Sequence, residues 1–373
     1  MLSNKKRRKY LFAAVYSLAV AAFTAYVMLD TFVLEQVELT DATEQNTSMF
    51  EGLEVKKLSS GSSDTAPEQV EESTDSSTDN SEESSSEQEQ LQSSRSRSKG
   101  SSRRSSKTQT DQSAAQQQSA QSSEPVAAGS SENIGSYSDE NIAVTLNEYY
   151  ENGTKIYVAD VRLSSAQYLK TAFANDSYGK NVKAATSDIA DDNGAILAVN
   201  GDYYGAREKG YVIRNGIAYR STAESGSEIL CIYADGHFDI ISPDEATADE
   251  LVSMGVWQAF TFGPGLIDSG EITVTQGQEV DQAMASNPRT ALGQIDDLHY
   301  VFVVSDGRTD ESAGLSLYQL AQFMQSLGCK TAYNLDGGGS STMYFDGEVV
   351  NNPTTNGNST KERRVSDIVY LGY

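Results

Sequence analysis

The chain is poor in the residues that hold transition metals: two cysteines and two histidines among 373 residues. That supply excludes a structural zinc site and argues against a histidine-rich zinc or iron centre. Basic residues are also scarce, 28 Lys and Arg against 53 Asp and Glu, a formal net charge of -25. A chain of that sign repels nucleic-acid backbones, and no basic, aromatic-studded surface pattern offsets it, so nucleic acid is not an expected partner. Cys231 and Cys329 lie beside apolar segments. A disulfide between them and two buried thiols fit the sequence equally.

Long apolar runs are absent except at the N-terminus. There "NKKRRKY" precedes the uncharged stretch "LFAAVYSLAVAAFTAYVML", which ends at Asp30. Its length suits a single membrane span over 10–29, behind a short basic tail over 1–9. The basic flank places that tail in the cytoplasm and the rest of the chain outside, at a cell membrane. A cleaved signal peptide is the rival reading, although no small-x-small site closes the run.

Residues 30–137 then read as an extracellular linker. The stretch from Gly61 to Gln90 holds ten acidic residues and no basic one, and "SSRSRSKGSSRRSSK" follows with six basic residues. Segments with so little apolar surface cannot offset the entropy of ordering, so a disordered stalk is expected.

From 138 to 373 the composition changes to one rich in Tyr, Val, Ile and Gly, enough for a real core. "TKIYVADVRL" alternates as a strand. Hairpins are expected at Asn215-Gly216, Asp235-Gly236 and Asp296-Asp297. "SLYQLAQFMQSLG" carries a capping box of Ser316 and Gln319, with Leu317, Leu320, Met324 and Leu327 on one stripe. "PDEATADELVSMG" is a second, weaker helix. The expected fold is α+β: one mixed, mainly antiparallel, sheet-rich domain with few helices, behind a transmembrane helix and a disordered stalk.

The chemistry concentrates in "YNLDGGGSSTMYFDG". No lysine and no helix follow Gly337, Gly338 and Gly339, so a nucleotide-binding loop is excluded. Three readings stay open: an anion cradle of backbone N–H groups helped by Ser340, Ser341 and Thr342; a tight strand-to-strand turn; and a metal loop using Asp336. Other polar residues fall at strand ends, namely Asn200 and Asp202 in "VNGDYYG", Arg289 in "SNPRTALG" and Arg308 in "SDGRTDES". Arginine forks suit phosphate, and structural salt bridges are their alternative. Asp202 and Asp336 are the best carboxylate pair for acid–base work on a glycosidic bond, or for Ca2+ or Mg2+ if a divalent ion is bound. His299 reads as a packing residue, and His237 at its hairpin turn is less informative still.

Six blocks in order, "SDIA", "GAILAVNGDYYGAREKGYVIRNG", "FGPGLI", "NPRTALGQIDDLHYVFVVSDGR", "GLSLYQLAQFMQSLGCKTAYNLDGGGSSTMYFDG" and "RRVSDIVYL", cover most of 187–371. Together they resemble the phosphodiester glycosidase family, bacterial relatives of the N-acetylglucosamine-1-phosphodiester alpha-N-acetylglucosaminidases, or "uncovering" enzymes. The resemblance implies a hydrolase that cleaves the C1–O bond of a sugar-1-phosphodiester in a cell-envelope or exopolysaccharide glycopolymer. It implies catalytic roles for Asp202 and Asp336. Asn200, Arg289, Arg308, Gly337, Gly338, Gly339 and Ser340 are implied to bind substrate or phosphate, and Asp367 to give support. A metal-assisted phosphodiesterase and a non-catalytic glycopolymer-binding module are the competing readings.

Overall fold

The computed structural model describes residues 15–24, 45–56, 58, 131–280 and 286–373. The strands form three antiparallel sheets. The first has eight strands in the order β1 (Ser131–Ser138), β2 (Ile142–Glu151), β3 (Thr154–Leu163), β14 (His299–Ser305), β13 (Arg289–Asp296), β15 (Thr331–Asn334), β11 (Gly265–Asp268) and β12 (Glu271–Ile272). The second has five: β7 (Ile217–Arg220), β6 (Val212–Arg214), β10 (Val256–Phe260), β8 (Ile229–Tyr233) and β9 (Phe238–Ile241). The third also has five: β17 (Glu348–Val349), β16 (Met343–Phe345), β5 (Leu197–Asn200), β18 (Asp367–Leu371) and β4 (Leu169–Phe173). The sheet-rich, antiparallel expectation therefore holds, with the strands divided among three sheets.

Period-2 alternation explains how the large sheet is buried on both faces. Along β14, Tyr300, Phe302 and Val304 enter one core with Leu230, Phe260 and Met343, whereas Val301 and Val303 enter another. The second core is closed by α3 (Leu317–Ser326), whose Leu317, Leu320, Phe323 and Met324 meet Leu266, Ile267 and Ala291. That helix starts at the expected capping box of Ser316 and Gln319, and Gly328 follows it at φ +87°. The weaker helix is α2 (Ala248–Ser253), capped by Thr247 and Glu250 in the same way. A further helix, α1 (Thr186–Asp192), occupies the block that begins "SDIA" and carries too few apolar repeats to stand out in the sequence.

The Asn215-Gly216 turn has both residues at positive φ, as a two-residue hairpin with right-twisted strands requires. The hairpin expected to turn at Asp296-Asp297 turns one residue later. A bulge between Gln294 and Asp296 shifts the register, and Leu298 takes φ +53°. His299 packs as expected, with Nε2 3.0 Å from Asp160 Oδ2. Cys231 and Cys329 are separate, buried free thiols, which settles their pairing.

Two expectations upstream of the domain meet the structure only in part. Residues 15–24 are helical, and no helix among the described residues is long and apolar enough to cross a membrane. The rest of the expected span over 10–29 lies outside the described residues, as does the low-complexity stretch from 61 to 130. The first sheet begins at Ser131, ahead of the expected boundary at 138. Part of the expected linker, 45–56, is seated on the domain. Asn46 N–H donates to the Asn215 carbonyl at 3.0 Å, and the Phe50 ring meets Trp257 edge-on at 4.8 Å between centroids.

Candidate active site

Strand ends from the first and third sheets meet at one place. β5 ends at Asn200, β15 leads into Asp336, β14 leads into Arg308, β13 begins at Arg289, and β18 begins at Asp367. Backbone groups leaving a sheet edge are free of the ladder, and polar side chains there converge without burying an unpaired strand. A cavity of about 410 Å³ lies beside a smaller one of about 270 Å³, and both are bordered by Arg207, Phe262 and Val280. The smaller one holds the polar constellation. Arg289, Arg308, Arg363, Asn287 and Asp336 line it, with Tyr203, Phe262 and Leu335 as its apolar wall.

Asp336 is the carboxylate of this cavity. Its Oδ1 and Oδ2 accept from Arg363 Nη2 at 2.9 and 2.7 Å. Burial pushes its pKa upward, and the Arg363 guanidinium opposes that rise. The same guanidinium donates through Nε to Ser340 Oγ at 2.7 Å. Asn200, fully buried, fixes the Asp336 backbone: Nδ2 donates to the Asp336 carbonyl at 2.7 Å, while Oδ1 accepts from the Thr290 hydroxyl at 2.8 Å. Asn200 thus holds the loop in place and does not line the cavity.

The two expected arginines differ. Arg289 is buried, donates to the Leu315 carbonyl at 2.9 Å and pairs with Glu279 at 2.9 Å, so its charge is largely answered within the protein. Arg308 sits at φ +64° and gives Nε and Nη2 to Asn287 Oδ1 at 3.2 and 2.8 Å, and Nη1 to the Thr355 carbonyl. These partners are neutral, and among the described residues Arg308 makes no ion pair. Burial and the nearby Arg363 both work against its charge.

Three of the N–H donors in the glycine tract are already taken. Gly338 N–H donates to the Pro288 carbonyl at 2.8 Å, Ser340 N–H to Gly337 at 3.3 Å, and Ser341 N–H to Gly338 at 3.1 Å. What the glycines supply is close approach. A Cβ on Gly337 would stand 2.8 Å from the Pro288 oxygen, and one on Gly339 2.4 Å from Thr355 Oγ1. One on Gly338 would stand 2.8 Å from Arg308 Nη2, and Gly338 also has φ +63°. The tract is a bare ledge on which Arg308 lies. Gly338→Ala is expected to cost about 1–2 kcal/mol from the left-handed backbone alone, and to dislodge Arg308. Thermal unfolding together with titration of an anionic product would show both effects; unchanged values would refute this account of the ledge.

Asp202, expected beside Asp336 as a reacting group, is instead locked away. Its carboxylate is 1% exposed and does not line the cavity. Oδ1 is 3.1 Å from Arg214 Nη2 and accepts from Tyr204 N–H at 3.1 Å, and Oδ2 accepts from Thr261 N–H at 3.1 Å. Arg214 also donates Nε to Asp367 Oδ2 at 2.8 Å and brings Nη2 within 2.8 Å of the same oxygen as an ion pair, and its guanidinium lies 4.2 Å from the Phe260 ring centre. Two carboxylates therefore share one cation in a fully buried setting. The Asp367 pKa is pushed up to about 8, first by burial and then by Asp202, against the pull of Arg214.

Neither expected carboxylate fits a divalent ion. Both oxygens of Asp336 face Arg363 and both of Asp202 take donors, whereas calcium and magnesium need several free oxygens around one point. Among the described residues no group of three or more His, Cys, Asp or Glu side chains has metal-binding spacing.

Sequence reasoning missed Arg214 and Arg363, the two cations that organise the carboxylates. Arg214 had a signal, a charge on the final residue of the otherwise apolar strand "VIR", and Arg363 lay in the quoted block "RRVSDIVYL".

Residues 193–371 match the family model described as phosphodiester glycosidase. The chain is 29% identical over 203 residues to the SPbeta prophage-derived uncharacterized protein YomE of Bacillus subtilis (strain 168), covering 52% of this chain and 31% of that protein. It is 26% identical over 195 residues to the N-acetylglucosamine-1-phosphodiester alpha-N-acetylglucosaminidase of Mus musculus, covering 46% of this chain and 36% of the mouse protein. The chain thus spans about a third of the length of these curated relatives. The zebrafish N-acetylglucosamine-1-phosphodiester alpha-N-acetylglucosaminidase catalytic domain, auto-inhibited by its pro-peptide, shares the fold. Its TM-score is 0.51 at 19% identity, over 66% of this chain and 88% of the zebrafish chain. Through residues 193–371, just under half of its length, this chain matches the phosphodiester glycosidase family, which is a family of hydrolases.

Proposed function

We propose that the domain hydrolyses a sugar-1-phosphodiester by cleaving its glycosidic C1–O bond, with Asp336 as the reacting carboxylate. The observation that carries this reading is Arg308, a half-buried guanidinium with neutral partners at the cavity that holds Asp336. A phosphodiester brings one negative charge, which answers that cation.

The roles follow from charge. As the C1–O bond breaks, its electron pair goes to the phosphate oxygen and the leaving group gains negative charge. Arg308, with Arg289 beside it, stabilises that gain. Water adds to C1 and gives its proton to Asp336, which first stabilises the positive sugar centre. A phosphate leaves readily, so the step asks for no strong general acid. Asp202 supports the site from beneath. The name of the mouse relative specifies N-acetylglucosamine; for this chain the proposal extends to a sugar-1-phosphodiester as a class.

The N-terminal apolar run and its basic flank support a further proposal on location. The chain would be a single-pass protein of the cell membrane, N-terminus inside and domain outside, acting on a cell-envelope or exopolysaccharide glycopolymer.

Incubation with N-acetylglucosamine-1-phosphodiesters in oxygen-labelled water tests the chemistry. Label is expected in the released sugar, and turnover is expected to survive a chelator. Label in the phosphate would overturn C1–O cleavage in favour of attack at phosphorus.

A further inference from the structure

We infer that the buried Arg214–Asp202–Asp367 cluster carries one proton, held at Asp367 Oδ1, and that Asp367 in this neutral form is a positioning residue for the site. This rests on the proposed reaction only for its effect on activity; the proton itself is read from geometry. Asp367 Oδ2 accepts from Arg214 Nε and pairs with the Nη2 charge at 2.8 Å, whereas Oδ1 is buried and meets no hydrogen-bond partner among the described residues. An ionised oxygen left in that state is far more costly than a neutral one.

Charge counting gives the same answer. With both carboxylates ionised the cluster has one cation against two anions in a dry setting, and with one proton bound it is neutral. The groups that face Asp367 are Arg214 from β6, Asp202 from the turn after β5, and Asp336 from the loop after β15. The Tyr204 phenol also feels the Asp367 charge, and its ring centre lies 5.9 Å from the guanidinium. Arg214 is the one cation of this set, and Asp202 and Asp336 both oppose a further negative charge on Asp367.

The cluster reaches the cavity through a short piece of chain. Gly201 N–H donates to the Asp367 carbonyl at 2.9 Å, and a Cβ on Gly201 would stand 2.3 Å from Asp367 Oδ1. On one side of Gly201, Asn200 holds the Asp336 carbonyl. On the other, Tyr203 forms part of the cavity wall. Once Asp367 ionises, Asp202 and Asp367 compete for Arg214 Nη2, and the segment that presents Tyr203 and braces Asp336 loosens. The sign is that of a raised acid. The folded protein holds a proton that the unfolded chain has lost, so stability falls as pH rises between the ordinary carboxylate range and about 8.

The test is infrared spectroscopy of the full chain with carbon-labelled aspartate at about pH 6, where ordinary aspartates are ionised. A protonated-carboxyl band is expected in the wild type and in Asp336→Asn, and is expected to fade above about pH 8. It should vanish in Asp202→Asn, where Arg214 serves one carboxylate alone. Absence of the band from wild type, or its persistence in Asp202→Asn, would overturn the inference. Neither readout needs turnover, so failure of the proposed reaction leaves this result interpretable. Where a substrate is turned over, Asp367→Asn is expected to move the alkaline fall of kcat/KM upward by at least about one pH unit, a tenfold change in proton affinity. An alkaline fall at the same pH in both proteins would refute the positioning role.

Discussion

Asp336→Asn is expected to lower kcat/KM on a sugar-1-phosphodiester by at least about a thousandfold, within the range set by loss of a positioned base, while the protein stays folded. The fold should tolerate the change because burial already disfavours the ionised carboxylate. An amide keeps one oxygen that accepts from Arg363 and gives up the charge and the second acceptor. The Asn200 hydrogen bond goes to the Asp336 backbone and is untouched by the substitution. Asp202→Asn is the matched control, because its carboxylate lies outside the cavity. It should retain much of the turnover. Near wild-type activity in Asp336→Asn, or complete loss in Asp202→Asn with an intact fold, would reverse the two assignments.

Arg214→Leu should give the largest loss of stability. The substitution leaves Asp202 and Asp367 facing each other, both buried, without the cation that joins them. Breaking a buried ion pair by removing one partner costs about 3–5 kcal/mol. For a domain of this size that lowers the melting temperature by roughly 10 °C. The backbone carbonyls of Ile213 and Ala259 lose their donors as well, which adds to the cost. The deficit should shrink as pH falls into the carboxylate range, because protonation relieves the unpaired charges. Melting curves over pH would show it; a melting temperature within about 2 °C of wild type at neutral pH would mean that the cluster contributes little.

Much of the scaffold was legible because it is written locally. The strand expected at Thr154–Leu163 coincides with β3, and the Asn215-Gly216 pair supplies the two positive φ angles its hairpin needs. Ser316 and Gln319 satisfy the first N–H groups of α3 from within three residues. Such signals need no knowledge of the rest of the chain. The site was legible in part: Asp336, Arg289, Arg308, Gly337 and Gly338 do meet at one cavity. The glycine tract misled because residue type says nothing about where an N–H points, and three of these donors are used within the loop or by Pro288.

By itself the sequence determined several strands, the Asn215-Gly216 turn, two of the helices, the acidic character of the domain and the polar residues at its strand ends. Only the tertiary structure decided that Asp336 faces a cavity while Asp202 does not. That distinction depends on Arg214 meeting Asp367, 153 positions away, and on Arg363 meeting Asp336. The physical reason is that a carboxylate's role is set by its burial and by the cation it faces. Both arise when sequence-distant strand ends are packed together.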